Sequence, residues 1–209
     1  MADLEPDILV AAYAEGYFPM AHPDTGELEW FNPDPRCILP LDGLRIQDSL
    51  ARRVRSGRFE ITTNTAFEQV MRSCADPGPG REDTWIDERL IQAYGQLHEQ
   101  GLAHSVEARR EGVLVGGLYG VHLGGVFMGE SMFSDPAHGG TDASKVCLVW
   151  LVAHLRAIGA SVLDVQFISD HMARMGAVEV ARDDYLQRLM IHRDQQCSWS
   201  GWPSIDSVL

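Results

Sequence analysis

The sequence predicts an α+β fold with α/β-like alternation of helix and strand, in which a small N-terminal unit over residues 1–45 precedes a domain over 46–209. Three observations predict it. Apolar residues recur at helical spacing in two windows, from Ile86 to Leu97 and from Val146 to Leu155. Around and between them, runs rich in β-branched residues are separated by glycine turns. The residues before Leu44 follow neither period and are rich in proline and aromatics.

Taken in order, Ile8 to Glu15 read as a short helix closed by Gly16. From Tyr17 to Pro40, Pro19, Pro23, Pro33 and Pro35 forbid a long helix and leave a short hairpin or an ordered loop. Arg45, Arg52, Arg53, Arg55 and Arg58 stand against a single acid, Asp48; on a helix Arg52, Arg55 and Arg58 share a face. Ile86, Leu90, Ala93, Tyr94 and Leu97 mark an amphipathic helix over 85–100, stopped by Gly101. Ala103 to Arg110 and Val113 to Tyr119, joined by Glu111-Gly112, form a hairpin, and Gly124-Gly125 turn the chain into a strand from Val126 to Met132. Thr141-Asp142 supply an N-cap for a helix bearing Val146, Val149, Trp150, Val152 and Leu155, which ends at Gly159. Ser161 to Ile168 form a buried strand, and Ser169 or Asp170 caps a short helix that stops near Gly176. Beyond Gln195 the chain is irregular.

Composition narrows the function. At 209 residues, 45% hydrophobic and 22% charged, the chain has ordinary globular makeup. It carries no apolar run near the ~20 residues of a membrane span, and its start lacks the basic flank of an export signal. A cytoplasmic, monomeric protein without membrane contact is the expectation. Cys37, Cys74, Cys147 and Cys197 are scattered, and the eight histidines lack ligand spacing, so neither a metal site nor a disulfide framework is indicated. A net charge of −13 argues against a general nucleic-acid coat, which leaves the arginine cluster as a local basic patch.

Two polar segments interrupt apolar surroundings: Gly129-Glu130-Ser131-Met132-Phe133-Ser134 and Asp164-Val165-Gln166. Each places a carboxylate and a neutral polar group at a strand end. Desolvating a carboxylate costs several kcal/mol unless it is paired. The residues alone allow either a site or a hydrogen-bonded pair that closes a sheet.

The ordered set AYAEGYFPM (12–20), WFNPDPR (30–36), DTWI (83–86), GLAHSVE (101–107), GGLYGV (116–121), GESMFS (129–134), DASK (142–145), DVQF (164–167) and DH (170–171) resembles the leucyl/phenylalanyl-tRNA–protein transferases, from about residue 8 to residue 189. The resemblance implies a GNAT-like acyltransferase domain behind a small, shortened N-terminal domain. It implies transfer of leucine or phenylalanine from aminoacyl-tRNA to the α-amine of a protein beginning with Arg or Lys, which marks that protein for degradation. No metal or nucleotide cofactor is implied. An enzyme of the same fold that uses another acyl donor, either acyl-CoA or a different aminoacyl-tRNA, and a non-catalytic binder of basic N-termini are the rival readings.

An aminoacyl ester is already activated, so transfer needs a neutral amine, a positioned carbonyl and a stabilised oxyanion. On this reading Asp164 accepts the amine's proton, and Gln166 orients that group or polarises the ester. Glu130, with Ser131 beside it, is the counter-charge for the acceptor's cationic terminus. Leu118, Phe127, Met132, Leu151 and Leu155 line the aminoacyl side-chain pocket. Trp85, backed by Tyr94, stacks the terminal adenine, and Arg52, Arg53, Arg55 and Arg58 hold acceptor-stem phosphates. Lys145, the single lysine, sits near a helix start and needs an anion, either Asp142 or the tRNA end. Met20 stands where the family commonly has Trp, Ser169 where it has Asn, and the 134–141 loop is lengthened.

Overall fold

The computed structural model describes residues 4–22, 25–76, 84–204 and 208–209; Pro23 and Asp83 fall outside them. Helix α1 (Pro6–Ala14) opens on a proline, whose missing N–H is no loss in a first turn. The proline-rich stretch is a hairpin: β1 (Phe18–Ala21) pairs antiparallel with β2 (Leu28–Phe31). The rest comprises β3 (Arg36–Ile38), α2 (Asp48–Arg55), β4 (Glu60–Thr63), α3 (Phe67–Ala75), α4 (Glu88–Glu99), β5 (Ala103–Arg110), β6 (Val113–Leu123), β7 (Val126–Ser134), α5 (Ala143–Ala157), β8 (Val162–Gln166), α6 (Asp170–Met175), β9 (Val178–Val180) and α7 (Arg182–His192).

Seven strands form one sheet in the order β4-β5-β6-β7-β8-β3-β9, antiparallel except for the β7–β8 pair. Alternation along each strand feeds two apolar layers. Tyr119 and Val121 meet residues of α1, α3, α4 and α7 on one face, while Val115 and Leu118 meet α2, α5 and α6 on the other. At Gly116 an added Cβ would lie 2.4 Å from the Ala143 Cβ, so this glycine lets α5 start directly against the sheet. The β7–β8 register runs only from Val126↔Val162 to Met128↔Asp164, although β7 continues to Ser134. Beyond Met128 the two strands part, and that parting creates the site.

Several expectations shift. β3 lies inside the main sheet, between β8 and β9, so the second unit begins before the expected boundary at residue 45. α4 starts at Glu88 and not at 85, because the Asp87 side chain accepts from the Leu90 N–H at 3.1 Å and caps it. Asp142 does not cap α5: it is left-handed (φ 64) and its carboxylate pairs with Arg53 at 3.2 Å and Lys145 at 2.7 Å. Ser169, one of the two expected caps, does cap α6, accepting from the Met172 N–H at 3.2 Å. β8 ends at Gln166 instead of running to Ile168, β6 extends to Leu123, and β7 extends to Ser134.

The irregular tail closes the far end of the sheet. Trp199 lies flat on His104, with ring centres 4.0 Å apart, and edge-on to His154 at 4.5 Å, while its Nε1 donates to Thr63 Oγ1 at 3.1 Å. Burial pushes the His104 imidazole down to about 3 and that of His154 to about 4, and lowers His122. The unfolded chain titrates near 6.5, so between these values it binds more protons than the native state; stability is therefore full above about pH 6.5 and declines toward pH 4. Scanning calorimetry is expected to show the thermal midpoint falling across that window, and His154→Phe to flatten the fall.

Candidate active site

Asp164 stands where β7 and β8 part, and its side chain is fully buried against an equally buried Arg36. The guanidinium forks onto it, Nε to Oδ1 at 2.9 Å and Nη2 to Oδ2 at 2.6 Å, and its Nη1 donates to the Gly16 carbonyl at 2.9 Å. Phe18 and Tyr185 sandwich the cation at 4.8 and 4.4 Å, and the Tyr185 hydroxyl donates to Asp164 Oδ2 at 2.8 Å. Oδ1 also accepts the Gln166 backbone N–H at 2.9 Å, a side-chain turn of the kind aspartate favours. The bond holds Gln166 at φ 57, and the Phe167 N–H closes onto the Val165 carbonyl at 2.7 Å. A left-handed glutamine of this kind stores on the order of 1–3 kcal/mol.

Across the gap, Tyr119 faces Ser131 and Gly120 faces Gly129, so Glu130 is the extra residue of a β-bulge. Bulges re-aim side chains, and this one turns a carboxylate toward β8. Glu130 Oε1 accepts from Gln166 Nε2 at 3.2 Å and Oε2 from the Tyr94 hydroxyl at 3.4 Å; Tyr94 in turn shares a hydrogen bond with the Tyr13 hydroxyl. Burial pushes the Glu130 carboxyl up to about 8, the Asp164 charge adding to the rise and the Tyr13 hydroxyl, Arg36 and Tyr94 opposing it.

Glu130, Ser131 and Gln166 form the polar wall of a cavity of about 290 Å³, whose other walls include Leu118, Met132, Leu148, Leu151 and Met172, with Phe167, Ser169 and His171 among the remaining lining residues. An apolar chamber with a few convergent polar groups suits a small hydrophobic group attached to something polar.

The structure distributes the remaining candidates differently. Asp164, the proton acceptor expected from the sequence, does not line the cavity, and both its oxygens are engaged by Arg36, Tyr185 and Gln166. Phe127 and Leu155 are fully buried and away from the chamber; Phe127 stacks on Trp199 at 5.5 Å. Tyr94 has no exposed face for a base, because its hydroxyl end belongs to Glu130 and its ring meets Tyr13 and Tyr119 edge-on. Trp85, before α4, is partly buried against the core. Arg52 and Arg55 are exposed in the last turn of α2, whereas Arg53 is engaged by Asp142 and Arg58 donates to the Gly139 carbonyl at 3.0 Å. The expected anion for Lys145 is Asp142.

Sequence reasoning assigns no role to Arg36, Tyr13 or Tyr185, although Arg36 closes the WFNPDPR block and Tyr13 is the second residue of the first block. It also passed over a second buried carboxylate, Glu107, which has no cation and instead accepts from Ser105, Thr62 and Thr65 hydroxyls at 2.5, 2.6 and 3.0 Å and from the Thr65 N–H at 3.2 Å, beside the start of α3. Among the described residues no group of three or more His, Cys, Asp or Glu is placed to hold a metal ion.

Comparison with known proteins decides the family. A model of the leucyl/phenylalanyl-tRNA protein transferase matches residues 38–190, and a model of that transferase's N-terminal domain matches residues 2–34. The chain belongs to the leucyl/phenylalanyl-tRNA–protein transferase family. The transferase of Rhizorhabdus wittichii is 51% identical over 190 residues, 90% of this chain and 75% of its own. That of Salinibacter ruber is 48% identical over 205 residues, 98% of this chain and 86% of its own. The two family models divide the chain at 34 and 38, on either side of Arg36, which matches the entry of β3 into the main sheet. Among solved structures, a GCN5-related glucosamine N-acetyltransferase region of a fungal multi-domain GH3 beta-N-acetylglucosaminidase superposes with a TM-score of 0.50 at 11% identity, covering 71% of this chain and 20% of that one. This likeness shows the fold alone, and the transferase chain is GNAT-like in that sense.

Removing either member of the Arg36–Asp164 pair strands a buried charge. Arg36→Ala and Asp164→Asn are each expected to lower unfolding free energy by about 3–5 kcal/mol in urea titrations, whereas an apolar replacement of both at matched volume loses less than the sum.

Proposed function

We propose that this aminoacyltransferase seats the leucyl or phenylalanyl side chain of aminoacyl-tRNA in the apolar chamber and receives the N-terminal Arg or Lys of an acceptor protein at Glu130. The observation that carries the reading is the Glu130 carboxylate itself, re-aimed by a bulge onto the wall of that chamber and met there by the Gln166 amide.

Transfer begins with the acceptor's α-ammonium beside Glu130. Burial raises the proton affinity of this carboxyl, which makes it a better acceptor for the α-ammonium's proton than an ordinary carboxylate. The freed amine attacks the ester carbonyl and the carbon–nitrogen bond forms. Gln166 and Ser131 are the neutral donors on that wall for the oxygen that gains charge. When the carbon–oxygen bond breaks, the ribose oxygen leaves with the second amine proton, and Glu130 is left to return the first to solvent. The ester's own activation supplies the driving force, so no nucleotide enters. Leu118, Met132 and Leu151 contact the side chain being moved, and the flexible thioether of Met132 adapts to a branched or an aromatic group.

The exposed Arg52 and Arg55, at the end of α2, hold acceptor-stem phosphates, and Trp85 offers the partly exposed aromatic face for the terminal adenine. An acyl-CoA donor is disfavoured by Asp142, whose carboxylate stands at the mouth of α5 where a pyrophosphate would have to sit. No helix among the described residues is long and apolar enough to cross a membrane. An aminoacyl-tRNA donor puts the enzyme in the cytoplasm, and tagging of Arg- or Lys-initiated proteins for degradation is its cellular outcome.

With labelled Leu-tRNA and an Arg-initiated peptide, Glu130→Gln is expected to lower kcat by about 10²- to 10⁴-fold, and unchanged turnover would move the proton acceptor elsewhere. Replacing Arg52 and Arg55 together by Ala should weaken tRNA binding and reduce the slope of log affinity against log salt by about 2; an unaltered slope would place the phosphate contacts on another surface.

A further inference from the structure

We propose that Arg36 is a positioning residue of the transfer step, acting through Asp164 to set the Gln166 turn and through the Gly16 carbonyl to tie the N-terminal helix and hairpin to the same point. The inference rests on the roles given above to Glu130 and Gln166. Three observations carry it. Arg36 is fully buried yet spends four of its hydrogen-bonding contacts within one small region, on Asp164 Oδ1, Asp164 Oδ2, the Gly16 carbonyl and, at 3.4 Å, the Tyr185 hydroxyl. Asp164 carries that geometry forward, since the oxygen held by Arg36 Nε also accepts the Gln166 N–H. Gln166, in a left-handed conformation that glutamine rarely adopts, then delivers its amide to Glu130. Without the fork, Asp164 is free to rotate about its side-chain bonds, the turn loses its acceptor, and the Gln166 backbone relaxes toward an extended form that moves the amide off Glu130.

A lysine at this position keeps the charge but presents one ammonium in place of a planar fork, so it cannot hold both oxygens and the Gly16 carbonyl in the same geometry. Arg36→Lys is therefore expected to lower kcat by about 10- to 100-fold while KM for aminoacyl-tRNA and for an Arg-initiated peptide stays near wild type, the pattern of misplacement and not of lost binding. Arg36→Met should fall further, so that lysine is a partial rescue. Tyr185→Phe, which removes one donor to Asp164 and no charge, should show the same split with a smaller drop. Val106→Ala, a core truncation on β5, three strands away from β8 in the sheet, controls for stability: it lowers the thermal midpoint and leaves kcat per folded molecule unchanged.

The kinetics are measured below the midpoint of every variant. A kcat for Arg36→Lys and Tyr185→Phe equal to wild type overturns the proposal, as does a loss that appears wholly in KM or that Val106→Ala reproduces. Glu130→Gln is run alongside: full activity there defeats the reading of Glu130, whereas its loss together with intact Arg36→Lys and Tyr185→Phe defeats the role of Arg36 alone.

Discussion

The buried Arg36–Asp164 pair is the constraint on which the rest of the site depends. Two fully enclosed opposite charges do not stabilise a fold by much, because desolvation offsets their attraction. What they impose is geometry. The guanidinium fixes both carboxylate oxygens, the oxygens fix a turn, and the turn delivers an amide. Because Arg36 begins the strand β3 that follows the N-terminal hairpin, while Asp164 lies on β8, the pair also joins the front of the chain to the strand opening.

That opening follows from sheet topology. A parallel pair that stays in register along its length would leave no room for a ligand. Here β8 turns away at Gln166 and β7 bulges at Glu130, so the two irregularities face each other across the gap. Each is locally unfavourable, and each is compensated by side-chain hydrogen bonds: from Asp164, itself held by Arg36 of β3, for the turn, and from Tyr94 and Gln166 for the bulged carboxylate. Local strain held in place by surrounding structure is a common feature of catalytic sites.

Two buried acids illustrate how environment assigns roles. Glu107 is enclosed and surrounded by hydroxyl and amide donors next to a helix start, which suits a structural task. Glu130 has fewer and longer hydrogen bonds, a neighbouring anion in Asp164 and an opening to the chamber. Its proton is held more tightly than an ordinary carboxyl's. The chain carries a net charge of −13, and against that background the exposed Arg52 and Arg55 stand close together at the end of α2.

Much of this was legible in the sequence, because periodicity, glycine turns and caps are written in neighbouring residues. The helix bearing Leu90 and Leu97, the hairpin around Glu111-Gly112, the strand holding Glu130 and the strand holding Asp164 and Gln166 all follow from such local signals. So does the choice of the two polar segments that border the cavity, since a polar triplet inside an apolar strand stands out without any partner. Which carboxylate faces the cavity and which is taken up by a buried arginine was not legible. Alternation says that Phe127 and Met132 lie on a strand but not which stretch of it borders a gap, and helical spacing brings Tyr94 to an inner face without saying that Glu130 waits there. Arg36 and Asp164 are 128 positions apart, and β3 is too short and too hemmed in by prolines to declare itself a strand. Local pattern records which surface a residue prefers; where two strands separate, and whose charge a buried arginine cancels, depends on non-local register, and only the folded chain decides it.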